Sequence, residues 1–130
     1  KHLAEEASKK PAKDSITRFE RTHTYELPFS DGRFDTSRYS LVNVYPETGR
    51  KHQIRRHLKH QSHPIVGDVK YGKGEHNRLF RDQLDCHRLL LAARSLSLPH
   101  PVDDKTITID CPLSTDFEST LAKLEKYRCD

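Results

Sequence analysis

The sequence has no methionine and no tryptophan, and only three cysteines are spread over its 130 residues. The missing methionine indicates that the chain does not begin at a natural start codon, so we expect a part of a longer protein. Cys86, Cys111 and Cys129 form no C-x-x-C pair, which argues against a zinc finger or a disulfide framework. No apolar run approaches the roughly 18 residues of a membrane span, and the first residues lack the apolar core of a signal peptide. We therefore expect a cytoplasmic protein with reduced thiols and no membrane association.

Acidic residues are absent between Thr48 and Gly67, although the whole chain has 19 of them against 23 lysines and arginines. Hydrophobic residues make up 33% of the chain and charged residues 32%, which is typical of a polar surface around a small core or of a piece of something larger. Concentrated positive charge steers nucleic acid toward a protein surface. We therefore expect this acid-free segment to contact an anion through its cations, Arg50, Lys51, Arg55, Arg56 and Lys59.

The same segment also contains four histidines, which raises the question of a metal site. It has no H-E-x-x-H motif and no nearby cysteine, and its cationic neighbours would repel a metal ion, so no metal site is expected. Nucleotide hydrolysis and acyl transfer are not supported either, because G-x-G-x-x-G, P-loop and G-x-S-x-G motifs are missing. Asp68 is a lone carboxylate in a Gly-Asp turn, and we expect it to be structural, as a cap or as the partner of an arginine.

Two strands and one helix are predicted in the first half of the chain. Residues 1–14 are rich in Lys and Ala and are typical of a flexible lead-in. β-branched and aromatic residues alternate over 15–25 and 38–45, which favours two strands on either side of a turn. Residues 51–61 contain no Pro or Gly and place apolar side chains four apart on one face, which predicts a helix.

The second half is predicted to contain two more strands and two helices. An apolar run followed by alternation favours a central strand over 89–98, although its first half is also compatible with a helix. Residues 106–110 alternate cleanly and are expected to pair back as a hairpin. Thr115 and Glu118 fit a capping box at the start of the last helix. The remaining predicted elements are a Gly-rich loop at 68–76, a short helix at 77–84, a turn at 99–105 and a terminal helix at 114–128. The order of elements predicts an α+β fold, with a mainly antiparallel sheet and flanking helices.

Several motifs in this order resemble the RluA-type pseudouridine synthases. They are GRKHQIRRHL at 49–58, HPIVGD at 63–68, YG at 71–72, RLLLAA at 88–93 and LSLPHP at 96–101. The resemblance covers nearly the whole chain from about residue 15, and the combination of motifs is highly specific. It implies that residues 15–130 form the C-terminal part of a pseudouridine synthase catalytic domain.

The resemblance implies an isomerisation that needs no cofactor. In the family, a uridine is flipped out of its stack, an aspartate acts as nucleophile, the glycosidic bond breaks and the base is reattached through carbon 5. That aspartate lies in an Arg-Leu-Asp motif, whereas Arg-Leu is followed here by Phe80 and Leu90. We therefore expect this chain to be inactive alone and to need the missing N-terminal half of the enzyme as its partner. A fragment with an exposed sheet edge is also expected to self-associate, or to expose a groove where that half docks.

The resemblance also implies roles for individual residues. Arg55 is expected to pair with the nucleophilic aspartate, because a nearby cation keeps a carboxylate ionised. Ile54 and Leu91 are expected to line the uracil pocket. Ala92 departs from the family, which often has a histidine there, so a local hydrogen bond from that position is not expected. The other matching positions imply contacts to the backbone of a tRNA, with uridine 65 of the T stem as the expected target, through Arg50, Lys51, His52, Gln53, Arg56, His57 and Lys59.

Two other functions would use the same basic helix. A non-catalytic RNA-binding module needs only phosphate contacts, and the sequence leaves this alternative open. A helix-turn-helix DNA-binding protein needs a second helix at close spacing, and Pro64 and Gly67 interrupt the chain where that helix would continue. We therefore keep the RNA-binding module as the alternative to the enzyme.

Overall fold

The structure is a computed structural model that describes residues 15–99, 102 and 105–130, and it has the predicted α+β architecture. The lead-in predicted at 1–14 and most of the turn predicted at 99–105 lie outside the described residues. The elements are β1 (Thr17–Leu27), β2 (Ser37–Pro46), α1 (Gln53–His60), α2 (Gly74–Leu84), β3 (Ser95–Pro99), β4 (Thr106–Asp110) and α3 (Thr115–Leu124), followed by a 3₁₀ turn at Glu125–Tyr127.

The first hairpin pairs β1 with β2 in antiparallel register, from Thr17 opposite Pro46 to Leu27 opposite Ser37. Alternation along β1 buries Thr17, Phe19, Tyr25 and Leu27, which are each at most 4% exposed. A β-bulge interrupts the register between Arg21 and His23. The inward row of side chains gives this hairpin a face on which helices pack.

The C-terminal residues cover the second edge of β1. Tyr25 forms an isolated antiparallel bridge with Arg128, and the Cys129 amide donates to the Thr24 carbonyl at 3.0 Å. Asp130 also accepts from the His23 ring at 3.0 Å. These contacts cover the second edge of β1 only around Thr24 and Tyr25, and the outer edge of β2 pairs with no strand within the described residues.

The main core lies between the first hairpin and α2. It includes Leu79, Phe80 and Leu84 of α2 and Tyr25 and Leu27 of β1. These side chains are all less than 7% exposed. The helix is therefore fixed to the sheet by burial of apolar surface, which contributes about 25 cal/mol for each Å².

The predicted central strand at 89–98 is wrong in its first half and in its position. Only Ser95–Pro99 form β3, and β3 pairs with β4 alone among the described residues. Residues 89–94 form neither strand nor helix. The Arg88 guanidinium donates to the carbonyls of Leu89 and Leu91, so side-chain bonds occupy backbone groups that a neighbouring strand would otherwise pair.

The second hairpin itself is confirmed. Ser95 lies opposite Asp110 and Pro99 opposite Thr106, in antiparallel register. Unlike the first hairpin, it has no row of buried side chains on β4, and Leu96 on β3 remains 61% exposed. The pattern of alternation was therefore sufficient to predict the pairing, but not the burial.

The predicted helices need four corrections. α1 begins at Gln53 rather than residue 51, because His52 adopts the left-handed conformation with φ 51°. α2 begins at Gly74 instead of residue 77, since the Asn77 amide already closes a helical turn on the Lys73 carbonyl. The capping box is wrong, because α3 is preceded by Ser114, whose hydroxyl donates to Asp116. The last helix ends at Leu124 in a 3₁₀ turn and does not continue to residue 128.

Candidate nucleic-acid interface

The start of α1 is fixed by the buried side chain of Gln53, which is 4% exposed. Its Oε1 accepts from the Thr48 hydroxyl at 2.6 Å and from the Arg50 amide at 3.0 Å. Its Nε2 donates to the Ile16 carbonyl at 2.8 Å and to the Thr17 hydroxyl at 2.9 Å. One amide therefore joins the turn before α1 to the first residues of β1.

His57 lies on the same inner face of α1 and is 1% exposed. Its Nδ1 is 2.6 Å from the Thr17 hydroxyl, and Leu58 beside it is 4% exposed. Gln53 and His57 were both predicted to contact RNA, and in this structure their side chains face β1. A helix pinned by buried hydrogen bonds presents its opposite face in a defined orientation.

The cations predicted to contact RNA lie on the other side of α1 and in the turn before it. Arg50, Lys51 and Lys59 are exposed, and Arg55 and Arg56 are partly exposed. α1 has no acidic residue in its first turn. This face therefore offers several positive charges to solvent without neutralisation along the helix itself.

Arg55 is held from one side by Asp68. Its Nε donates to Oδ2 of Asp68 and its Nη2 to Oδ1, both at 2.8 Å. The Asp68 side chain is completely buried, while that of Arg55 is 19% exposed. Paired parallel bonds of this kind fix the plane of the guanidinium as well as its position.

The Asp68 carboxylate is also held by its own loop. Its Oδ1 accepts from the amides of Lys70 and Tyr71, each at 3.0 Å. The hydrogen bond from Arg55, helped by these two amides, lowers the pKa of Asp68 from 3.8 to about 2 against the opposing effect of burial. The carboxylate is therefore ionised at neutral pH. The sequence-based expectation that Asp68 pairs with an arginine is confirmed.

An aromatic ring borders the same arginine. The Arg55 guanidinium carbon lies 5.0 Å from the centre of the Tyr71 ring, and the Tyr71 hydroxyl is 3.1 Å from Nδ1 of His52. Desolvation, and then the positive charges led by Arg55 and Lys70, lower the pKa of His52. Sequence reasoning gave Tyr71 no contact with Arg55 or His52, and its signals were the YG motif at 71–72 and an aromatic residue within a Gly-rich loop.

A second amide side chain fixes the loop that carries Asp68. Asn77 on α2 accepts from the Gly67 amide at 2.7 Å and donates to the Asp68 carbonyl at 3.1 Å. Gly67 has φ 88°, and a Cβ at this position would lie 2.0 Å from the Arg88 carbonyl oxygen. Only glycine fits so close to another backbone. Asn77 was also missed from the sequence, because its polar side chain gives no sign of its partners.

The two predicted pocket residues, Ile54 and Leu91, line one open groove of about 1490 Å³. Residues 38–46 of β2 form one wall and residues 90–97 the other, with Phe117 and Leu121 of α3 among the lining residues. The groove therefore follows the exposed edge of β2. It separates the two hairpins, which share no strand pairing within the described residues.

Comparison with known proteins gives a consistent result. Residues 2–60 match the family described as RNA pseudouridylate synthase. The chain is 40% identical over 119 residues to tRNA pseudouridine synthase C of Vibrio parahaemolyticus, which covers 92% of this chain and 48% of that protein. The same protein of Haemophilus ducreyi is 44% identical over 109 residues, with 84% and 45% covered. That of Salmonella typhi is 38% identical over 123 residues, with 95% and 46% covered.

The chain therefore spans about half the length of the curated relatives it matches. None of the helices in the part of the chain that the structure describes has the length and apolar character of a membrane span.

Proposed function

We propose, from the premise that this chain belongs to the RNA pseudouridylate synthase family, that it supplies RNA-binding surface and an active-site wall to a tRNA pseudouridine synthase. The name shared by its relatives supports tRNA as the substrate. The proposed reaction converts a uridine, uridine 65 of the T stem, to pseudouridine in the cytoplasm. It is an isomerisation in which the bond between N1 and C1′ of the ribose breaks and a bond between carbon 5 and C1′ forms. The proton lost from carbon 5 is balanced by one gained at N1, so no cofactor is consumed.

The observation that carries this proposal is the position of Arg55 among exposed cations. Arg50, Lys51 and Lys59 lie on the solvent side of α1 and in the turn before it, and Arg55 is partly exposed there. Lysine and arginine neutralise phosphates and release the counterions condensed on a nucleic acid. These cations would therefore bind the phosphate backbone of the tRNA on either side of Arg55, whose orientation is already fixed by Asp68.

The role proposed for Arg55 is to pair with the nucleophilic carboxylate. An arginine within hydrogen-bonding distance favours the ionised form of a carboxylate, even in a partly dry pocket. The ionised carboxylate is a much stronger nucleophile than the protonated acid, so keeping it ionised favours attack on the uridine. Ile54 and Leu91, which line the same groove, are proposed to exclude water from the flipped base.

Asp68 does not fit the role of that nucleophile. It is 1% exposed, and its oxygens accept from Arg55 and from two amides of its own loop. Attack on a ribose or a base would require it to leave all of these donors. We therefore propose that the nucleophile comes from the half of the enzyme that this chain does not span.

The groove beside β2 is proposed as the place where that half docks. Among the described residues, no strand pairs with the outer edge of β2, and the opposite wall at 90–97 contains no paired strand before Ser95. A strand added at an exposed edge gains main-chain hydrogen bonds. A second copy of this chain is the competing occupant of the groove. If the chain self-associates alone and this association is lost when the other half is present, both the expected self-association and the expected docking site are supported.

The test compares this chain with the longer protein that contains it, on unmodified tRNA. Pseudouridine formation is followed by release of tritium from carbon 5 of labelled uridine, and the modified position is then mapped. We expect turnover by the longer protein alone, at uridine 65, and loss of turnover in its Arg55→Ala variant while tRNA still binds. Arg128→Ala, which removes an arginine that pairs with Glu125 at the chain end, is the matched control and should react normally. Turnover by the short chain, or by the Arg55→Ala enzyme, would contradict the proposal.

A non-catalytic RNA-binding module is the second candidate. It is favoured by the exposed cations and by the ion pair between Arg55 and Asp68, which leaves the Asp68 carboxylate unsuited to act as a nucleophile. In this case the longer protein would bind tRNA with a steep salt dependence and would never release tritium.

A further inference from the structure

The pairing of Arg55 with Asp68 uses only one side of the guanidinium group. An arginine has five N–H donors on a rigid fork. Asp68 takes the Nε–H and one hydrogen of Nη2. Nη1 has no hydrogen-bond partner in the part of the chain that the structure describes. The end of the fork, formed by Nη1 and the second hydrogen of Nη2, is therefore available to another carboxylate.

The group that sets this orientation is itself rigid. Asp68 is buried and accepts from two successive amides of its loop. Asn77 on α2 binds the carbonyl of Asp68 and the amide of the preceding residue. Tyr71 lies beside the guanidinium at 5.0 Å and limits its tilt. A continuous set of contacts thus connects Asn77 on the core helix α2, through Asp68, to the partly exposed guanidinium of Arg55.

We propose that Asp68 is a positioning residue, which orients Arg55 so that the free end of its guanidinium meets the nucleophilic carboxylate. This inference rests on the function proposed above. Asp68 does not touch the substrate and acts only through Arg55. A bidentate pair depends on the plane of both groups, so a rotated Arg55 would keep its charge near the nucleophile and lose the alignment.

The variant that tests this is Asp68→Asn in the longer protein. An asparagine has nearly the shape of aspartate, but it accepts through one oxygen only, and its NH₂ group would face N–H donors. We expect kcat to fall about 100-fold, as for a misplacement of about 1 Å in an active site. The KM for tRNA should stay within about twofold, because the phosphate-binding cations are unchanged.

The double variant Arg55→Ala with Asp68→Asn separates positioning from other effects. If Asp68 acts only through Arg55, the double variant should be no slower than Arg55→Ala alone. Arg55→Lys gives a second test, since it keeps the charge but loses the fork and should lose activity nearly as fully as Arg55→Ala. Asp130→Asn, which removes a carboxylate paired with His23, is the control and should leave kcat unchanged.

Three results would overturn the inference. One is an Asp68→Asn enzyme with unchanged kcat, and another is an additive loss in the double variant. The third is an Arg55→Lys enzyme that retains most of its activity, and this result remains decisive even where Asp68→Asn does not fold. If the unsubstituted longer protein makes no pseudouridine, the proposed function fails and the inference fails with it. In the other three cases the unsubstituted enzyme is active, and only the role of Asp68 is lost.

Discussion

The first hairpin and the second hairpin of this molecule are both antiparallel but have different surroundings. β1 contributes four side chains that are at most 4% exposed, and α1 and α2 lie on the hairpin it forms with β2. The second hairpin leaves Leu96 61% and Ile109 48% exposed. Both hairpins are antiparallel, but the first has the longer register and also most of the buried side chains.

The difference shows which part of the chain supports its own site. The cations of α1 stand on a scaffold that is already fixed by Gln53, His57 and Asp68. The second hairpin and residues 90–97 instead form a wall of an open groove. Large apolar side chains on a groove wall are typical of a surface that is covered by another part of the protein.

The largest expected effect on stability comes from a substitution in the core beside the first hairpin, compared with one on the second hairpin. Phe80→Ala should lower the free energy of unfolding by about 4 kcal/mol, because it leaves a cavity among fully buried side chains. Leu96→Ala should change it by less than about 0.5 kcal/mol, because that side chain is largely in solvent. Denaturant unfolding of both variants measures the contrast.

The same pair of variants sharpens the comparison in the longer protein. There, Leu96→Ala should cost more than in this chain, if the other half of the enzyme covers the groove wall. An equal cost in both proteins would show that Leu96 stays exposed, and would count against docking at this wall.

A smaller effect is expected from the amide that joins α1 to β1. Gln53→Ala should cost about 3 kcal/mol, because it leaves buried partners at Ile16 and Thr17 without their donor. Ser97→Ala removes an exposed side-chain hydrogen bond to Thr108 on the second hairpin, and it should cost less than about 0.5 kcal/mol. A cost below about 1 kcal/mol for Gln53→Ala would mean that water replaces its hydrogen bonds.

Some elements that depend on local sequence patterns were predicted correctly. Alternation located both hairpins, and the apolar spacing located α1 within two residues of its observed ends. The apolar run at 89–93 misled, because nothing local shows that Arg88 would bind the carbonyls of Leu89 and Leu91. A buried strand and an anchored loop can have the same composition.

Motifs singled out the candidate site residues, but apart from an arginine partner for Asp68 the sequence did not show which residues they contact. Arg55 and Asp68 are 13 positions apart, and Gln53 and Thr17 are 36 apart. Contacts over such distances depend on how α1 packs on β1, which no periodicity encodes. The division of α1 into a buried polar face and an exposed cationic face was missed for the same reason, since Gln53 and His57 are polar.

The smallest effect concerns pH and compares Asp68 with Asp110, an exposed residue of β4. Pairing with Arg55 lowers the pKa of Asp68 from 3.8 to about 2, so folding favours its ionised form. The resulting stability is fully present above pH 4 and is lost as pH falls toward 2. The difference in unfolding free energy between the parent and Asp68→Asn should therefore shrink by about 2 kcal/mol over this range. The unfolding free energy of Asp110→Asn should change with pH as that of the parent does. If the difference in unfolding free energy between the parent and Asp68→Asn is independent of pH, the Arg55–Asp68 pair contributes through shape and not through charge.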